Sequence, residues 1–233
     1  MSIWDTNDKN GYTSCLLKGV GQITLNSEFG QLIYKITQDN NLKTFLEIGT
    51  WNGLGSTKCF IEGFKNRKTD FVFYSLECNS EKSKIAYNMY KNIQNVHILN
   101  EVIYHNDPEN FFDIFPECKG DSSYKTWHNI DMQNMKNCKL FLDRNNLPQI
   151  FDVLLLDGGE FTTYYEFQAL KDRCKLLLLD DINTAKCKKI VEEIKENKDK
   201  WQIIVENTKS RNGYLFCIHK QNNSNHGNHT QSS

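Results

Sequence analysis

Hydrophobic positions along the chain fall into two alternating rhythms. Between Glu28 and Asp39, residues Phe29, Leu32, Ile33 and Ile36 recur at helical spacing, which predicts a helix with one apolar face. Phe45, Leu46 and Ile48 then make a short apolar run suited to a buried strand, interrupted near its end by Glu47. The alternation continues with a strand over Phe71 to Leu76 closing on Glu77, a helix over Ser83 to Asn92 and a strand over Val96 to Leu99. Farther on, Phe151 to Leu156 closes on Asp157, a helix runs from Thr163 to Lys171, and Cys174 to Leu179 closes on Asp180 and Asp181. After a helix over Ala185 to Asn197, Trp201 to Val205 and Tyr214 to His219 read as two last strands around a turn at Asn212-Gly213. Continuous apolar strands separated by helices specify an α/β fold with a mostly parallel sheet. No internal repeat is present, which excludes a solenoid.

The punctuation after the first strand carries the first chemical information. Gly49, Gly53 and Gly55 precede an amphipathic stretch; glycine permits positive φ and lets a ligand approach the backbone where a Cβ would stand. Ser56 or Thr57 is expected to cap the helix that follows. The spacing Gly-x-x-x-Gly-x-Gly departs from the Gly-x-Gly-x-x-Gly of dinucleotide sites, and Lys58 after Thr57 does not give the ending of a phosphate-cradling P-loop.

This run, with Glu47 ahead of the glycines and Ser56 after them, resembles the first motif of class I S-adenosylmethionine-dependent methyltransferases. The resemblance implies a single-domain Rossmann-like fold: a mostly parallel seven-stranded sheet with a C-terminal antiparallel hairpin and helices on both faces. It also implies S-adenosyl-L-methionine as cofactor, with Glu47, Gly49, Thr50, Gly53, Gly55, Ser56 and Asp157 around it. Ligands of open α/β sheets bind beyond the carboxyl ends of the strands, near the switch in strand order, and the acids named above lie at such ends. In the family the acid at the position of Glu77 binds the ribose, whose two hydroxyls one carboxylate can accept. Glu101, after the third strand, falls where adenine contacts arise.

Asp157, Asp180 and Asp181 stand at the ends of neighbouring strands. Carboxylates so gathered bind a cation or share protons; otherwise Asp157 and Asp180 cap the helices after them. The arrangement resembles the metal-dependent O-methyltransferases, of the catechol type and of the type acting on antibiotic sugars. In the sugar type an Asp-Gly-Asp segment and an Asp-Asp pair supply the ligands; here the first reads Asp157-Gly158-Gly159, with Glu160 next to it. The resemblance implies Asp157, Asp180 and Asp181 as ligands of Mg2+ or another divalent metal. Such an ion lowers the pKa of the hydroxyl it binds, and a neighbouring group then takes the proton. Asp157 is the first candidate for that base, His128 the alternative, and His105 stands behind it. The Asn-Pro-Pro-Tyr motif of amino methyltransferases is missing at Asp157 to Glu160, which argues against DNA base methylation.

The 233 residues allow one domain, 28–220. Residues 104–148 form an insertion longer than a simple crossover needs, and Phe111, Phe112, Phe115, Tyr124, Trp127 and His128 within it either build an aromatic lid or pack as an ordinary crossover. Residues 1–27 offer a second lid, and 221–233, rich in Asn, His and Ser, read as a disordered tail. A net charge of -1 provides no field for nucleic acid or an acidic membrane, so the expected acceptor is a small molecule or a saccharide, with a homodimer allowed. Eight cysteines without paired spacing, and no leader-like apolar start, point to reduced thiols and a cytoplasmic protein. Two other classes fit the same sheet: a nucleotide-dependent oxidoreductase, disfavoured by the glycine spacing, and a non-catalytic methyltransferase-like protein that binds a partner.

Overall fold

The structure, a computed structural model, describes residues 22–106 and 110–220. The expected lid at 1–27 lies outside the described residues up to residue 21, and the expected tail lies wholly outside them. Strands β1 (Thr44–Ile48), β2 (Val72–Leu76), β3 (Val96–Leu99), β6 (Phe151–Leu156), β7 (Cys174–Asp180), β8 (Trp201–Asn207) and β9 (Tyr214–His219) form one sheet in the order β3-β2-β1-β6-β7-β9-β8. All pairings are parallel up to β7, and β9 runs antiparallel to both β7 and β8. The seven-stranded Rossmann-like sheet with its closing hairpin is therefore present as the sequence predicts.

Helices α1 (Glu28–Thr37), α2 (Ser56–Phe64) and α3 (Ser80–Tyr90) cover one face, and α6 (Thr163–Leu170) and α7 (Ala185–Glu196) cover the other. The strands sort their side chains by the period of two. Phe45, Phe73, Val153, Leu155 and Leu178 join Ile33, Phe60 and Phe64 on the first face. Leu46, Leu154, Leu156, Leu177 and Leu179 join Phe167, Ile190 and Ile194 on the second. Most of these residues are fully buried, and each contributes about 1.5–3 kcal/mol relative to exposure.

Two local features differ from the sequence reading. Helix α3 begins at Ser80, ahead of the expected Ser83, because the Asn79 side chain accepts from the amides of Glu81 and Lys82 and caps it there. The insertion contains α4 (Phe111–Ile114), a 3-10 turn and α5 (Ser122–Met135), and is bracketed by a small parallel pair, β4 (Glu101–Val102) with β5 (Lys139–Leu140). Two-residue strands leave no alternation to read.

Register positions the site. Ile48 is aligned with Leu76 on one side and Leu156 on the other, and Leu156 with Leu179. The residues that follow, Gly49, Glu77, Asp157 and Asp180, consequently emerge at one edge of the sheet. Strand order reverses at β1 and β6, so this edge is the crevice where open α/β sheets bind ligands.

Candidate functional site

The glycine turn is tied to both neighbouring strands. The amides of Gly49 and Thr50 both donate to the Leu76 carbonyl at 3.0 Å, and the amide of Asp157 donates to the Ile48 carbonyl at 2.9 Å. Gly49 and Gly53 hold φ of 104° and 82°, as the motif requires, and Trp51 between them is also left-handed at 53°. The space a Cβ would fill is occupied by protein. At Gly49 it would meet the Asp157 carbonyl oxygen at 2.1 Å, and at Gly53 the Ala86 and Tyr90 side chains at 2.9 Å. These glycines thus permit the β1 turn to close onto β6 and α3, a demand separate from ligand approach.

The strained Trp51 has a visible consequence. Its amide donates to Glu77 Oε2 at 2.8 Å, while the Asn79 amide donates to Oε1 at 2.9 Å. The carboxylate is nearly buried and held from behind by two backbone donors. The Cys78 thiol adds a weak contact to Oε1 at 3.8 Å, and the remaining acceptor capacity of the two oxygens is free to face a vicinal diol. Such an acceptor suits the two hydroxyls of a ribose.

Ser56 and Thr57 do not cap α2. The helix starts at Ser56 with Gly55 as its cap residue and no side-chain cap bond. Their hydroxyls turn to Glu47 instead: Thr57 Oγ1 donates to Glu47 Oε2 at 2.7 Å, Ser75 Oγ donates to the same oxygen at 2.5 Å, and Ser56 contributes a third bond. Glu47 is fully buried, its Oε1 has no partner among the described residues, and burial pushes its pKa up to about 7 against those three bonds.

The three aspartates converge as expected. Asp157, Asp180 and Asp181 offer oxygens within 4.8 Å of one another. None caps a helix, since Thr162 precedes α6 and Thr184 precedes α7. Asp181 itself is left-handed, at φ 58°. Sequence reasoning missed two cations among them. Lys186 Nζ lies 3.1 Å from both Asp157 Oδ1 and Asp181 Oδ2, and Arg211 from the β8–β9 turn lies 3.0 Å from both Asp180 Oδ2 and Asp181 Oδ1. Burial, reinforced by the other two acids, pushes Asp157 well above the usual carboxylate range although Lys186 opposes this. Burial likewise raises Asp180. At Asp181 burial is outweighed by Lys186 and Arg211, which hold it below its usual value. Burial works against the Lys186 charge, but the carboxylates around it hold its pKa well above the ordinary lysine value.

The insertion roofs this edge. Phe111, Phe115 and Cys118 bury themselves with Phe161, with Phe112, Tyr124, Trp127 and Ala185 of α7 packed around them. The His128 ring lies 5.3 Å from Phe112 and 5.0 Å from Phe161, so this candidate base belongs to the aromatic cluster. His105 Nε2 is engaged at 2.9 Å by the Cys138 carbonyl. Glu160 accepts from Tyr124 Oη at 3.2 Å and feels the Lys186 and Asp181 charges without joining the triad. Asp131, on α5, sits against Gly159 and near Lys82 and Glu77; burial raises its pKa to about 7. Glu101, expected near the adenine, is engaged by a cation of the insertion. Both its oxygens accept from Arg144 at 2.6 Å, a bidentate pair that pins β4 to the segment after β5.

No family model and no curated protein matches the chain. Its fold, in contrast, recurs among solved structures. It is similar to an O-methyltransferase from Bacillus cereus in complex with SAH, at 13% identity over 92% of this chain and 93% of that one, with a TM-score of 0.55. The O-methyltransferase TomG from Streptomyces achromogenes, involved in tomaymycin synthesis and solved with SAM, matches at 13% identity over 82% and 78% of the two chains, TM-score 0.51. SAH-bound methyltransferase PaMTH1 from Podospora anserina matches at 13% identity over 82% and 77%, TM-score 0.52. At such identities the likeness establishes the fold, the Rossmann-like one of class I O-methyltransferases.

Proposed function

We propose that this chain is an S-adenosylmethionine-dependent O-methyltransferase acting on a hydroxyl of a small molecule or sugar. The observation that carries the reading is Glu77, a carboxylate fixed by the Trp51 and Asn79 amides beside the glycine turn, one strand position from the switch point, where it suits a vicinal diol. The fold shared with SAM- and SAH-bound O-methyltransferases supports it. Glu77 holds the ribose, and the turn from Gly49 through Thr50 to Gly53, Gly55 and Ser56 lines the methionine end.

The cofactor supplies a methyl group on a sulfonium, which needs an oxygen nucleophile aligned behind the methyl carbon. The chain's part is to position that hydroxyl and take its proton. Asp157 is suited to receive the proton, because its carboxylate lies at the β6 end next to the turn and the Lys186 ammonium 3.1 Å away favours the ionised form that a base needs. The aromatic roof of Phe112, Tyr124, Trp127 and Phe161 covers the acceptor and offers faces for an aromatic or sugar ring. The acceptor is a small molecule and not a nucleic acid, in keeping with the net charge of -1. Among the described residues no two cysteines are joined in a disulfide, which suits the reducing cytoplasm. Among the described residues no helix is long and apolar enough to cross a membrane.

A divalent metal, which the fold family's metal-dependent branch implies, meets a mixed answer. The oxygens of Asp157, Asp180 and Asp181 are the hard donors Mg2+ prefers. The space between them already holds the Lys186 ammonium, so the residues as arranged do not fit an ion.

Calorimetric titration with S-adenosylhomocysteine and with NAD, on wild type and Glu77→Ala, tests the assignment. Micromolar S-adenosylhomocysteine binding that weakens at least tenfold in the variant is expected, since each hydrogen bond to a charged group is worth about 1.5–3 kcal/mol. Binding of NAD alone would move the chain to the oxidoreductases, and binding of neither would favour a partner-binding protein.

A further inference from the structure

We propose that Lys186 is the resident cation of the acid centre and that methyl transfer here proceeds without a divalent metal. The proposal rests on the methyltransferase reading for its chemistry, while its geometry stands independently. Lys186 Nζ is 3.1 Å from Asp157 on β6 and 3.1 Å from Asp181 after β7, and its side chain is 4% exposed. An ammonium that deeply placed stays only where carboxylates surround it. A divalent ion bound by oxygens of those two residues needs distances of about 2.0–2.6 Å. An ion on those oxygens would share them with the ammonium, and two cations competing for the same carboxylates repel at low dielectric.

Arg211 completes the replacement. Its guanidinium takes Asp180 Oδ2 and Asp181 Oδ1, both at 3.0 Å, and Asn212 Nδ2 donates to Asp181 Oδ1 at 3.1 Å. All three acids therefore have cationic partners from within the chain. With the acids ionised, the three negative charges meet two positive ones, so a metal would find its ligands engaged and only a single net negative charge left to attract it. Lys186 also reaches where a metal would act. An ammonium has three hydrogens, of which two serve Asp157 and Asp181; the third is the one we assign to the acceptor oxygen. In that role Lys186 orients the hydroxyl and stabilises the developing alkoxide. The hydroxyl proton passes to the Asp157 carboxylate, the oxygen forms its bond to the methyl carbon, and the carbon–sulfur bond breaks with its electron pair on sulfur.

The test is Mn2+ binding followed by electron paramagnetic resonance, with S-adenosylhomocysteine affinity measured on the same samples. The full chain is compared with Lys186→Met, and with Lys186→Gln should the first variant not fold. Wild type is expected to take up no Mn2+ at millimolar concentration. The neutral variant is expected to bind it at least about tenfold more tightly than wild type, because one repelling charge has gone. Stoichiometric micromolar binding by wild type overturns the proposal by itself and needs no variant, since it would mean that Lys186 yields to the ion. A folded neutral variant that still takes no Mn2+ overturns it as well, since the carboxylates would then not be a cation site. Loss of S-adenosylhomocysteine binding in wild type would instead strike the methyltransferase reading and leave the Mn2+ result intact as a test of Lys186.

Discussion

Glu47 gives the sharpest quantitative test, because the fold keeps a carboxyl at 0% exposure with one oxygen unpartnered among the described residues. Burial is the leading cause that moves its pKa from 4.5 to about 7, against bonds from Ser56, Ser75 and Thr57. The sign follows from proton counting. Between pH 4.5 and 7 the unfolded chain has released this proton and the folded chain still holds it, so stability falls as pH rises through that window and is level above it. At about 1.36 kcal/mol per tenfold change in proton affinity, the full effect is about 3 kcal/mol. Glu47→Gln keeps an oxygen for the Thr57 and Ser75 hydroxyls and removes the ionisation. Denaturant unfolding at pH 5 and pH 8, on wild type and variant, isolates the residue. Asp131 and Glu166 also titrate near 7 and give wild type a further pH slope, which cancels in the comparison. The variant should gain about 1–3 kcal/mol relative to wild type on going from pH 5 to pH 8, with local relaxation reducing the upper figure. Equal pH slopes in the two proteins would refute the buried-acid reasoning.

Two further perturbations follow from contacts already described. Gly49→Ala places a methyl 2.1 Å from the Asp157 carbonyl oxygen at a residue with φ 104°, and should cost at least about 2 kcal/mol in denaturant unfolding while displacing Asp157. Wild-type stability in that variant would mean that the β1 turn does not rest on β6. Glu101→Gln breaks the bidentate pair with Arg144, whose side chain is 39% exposed, and should lower stability by about 1–2 kcal/mol with cofactor affinity unchanged. A selective loss of S-adenosylhomocysteine binding there would return Glu101 to the adenine site.

What could be read from the sequence is what depends on near neighbours in the chain. The alternation of Phe45-Leu46 with Ile48, the run Phe151 to Leu156 and the helical spacing of Phe29, Ile33 and Ile36 fixed the parallel sheet, since burial on two faces leaves a local signature. Glu77, Asp157, Asp180 and Asp181 were legible as candidates for one edge because each closes an apolar strand, and strand ends on one edge of such a sheet must meet. The tertiary structure decided which charges stand opposite one another. Lys186 is 29 residues from Asp157 and Arg211 is 31 from Asp180, and no spacing in the chain announces that both side chains turn into the acid cluster. The same holds for Glu101 facing Arg144 across 43 residues, and for the Asp157 carbonyl that fills the space at Gly49. Electrostatic pairing and the room left for a Cβ are set by distances through space, which the order of residues specifies only once the sheet has closed.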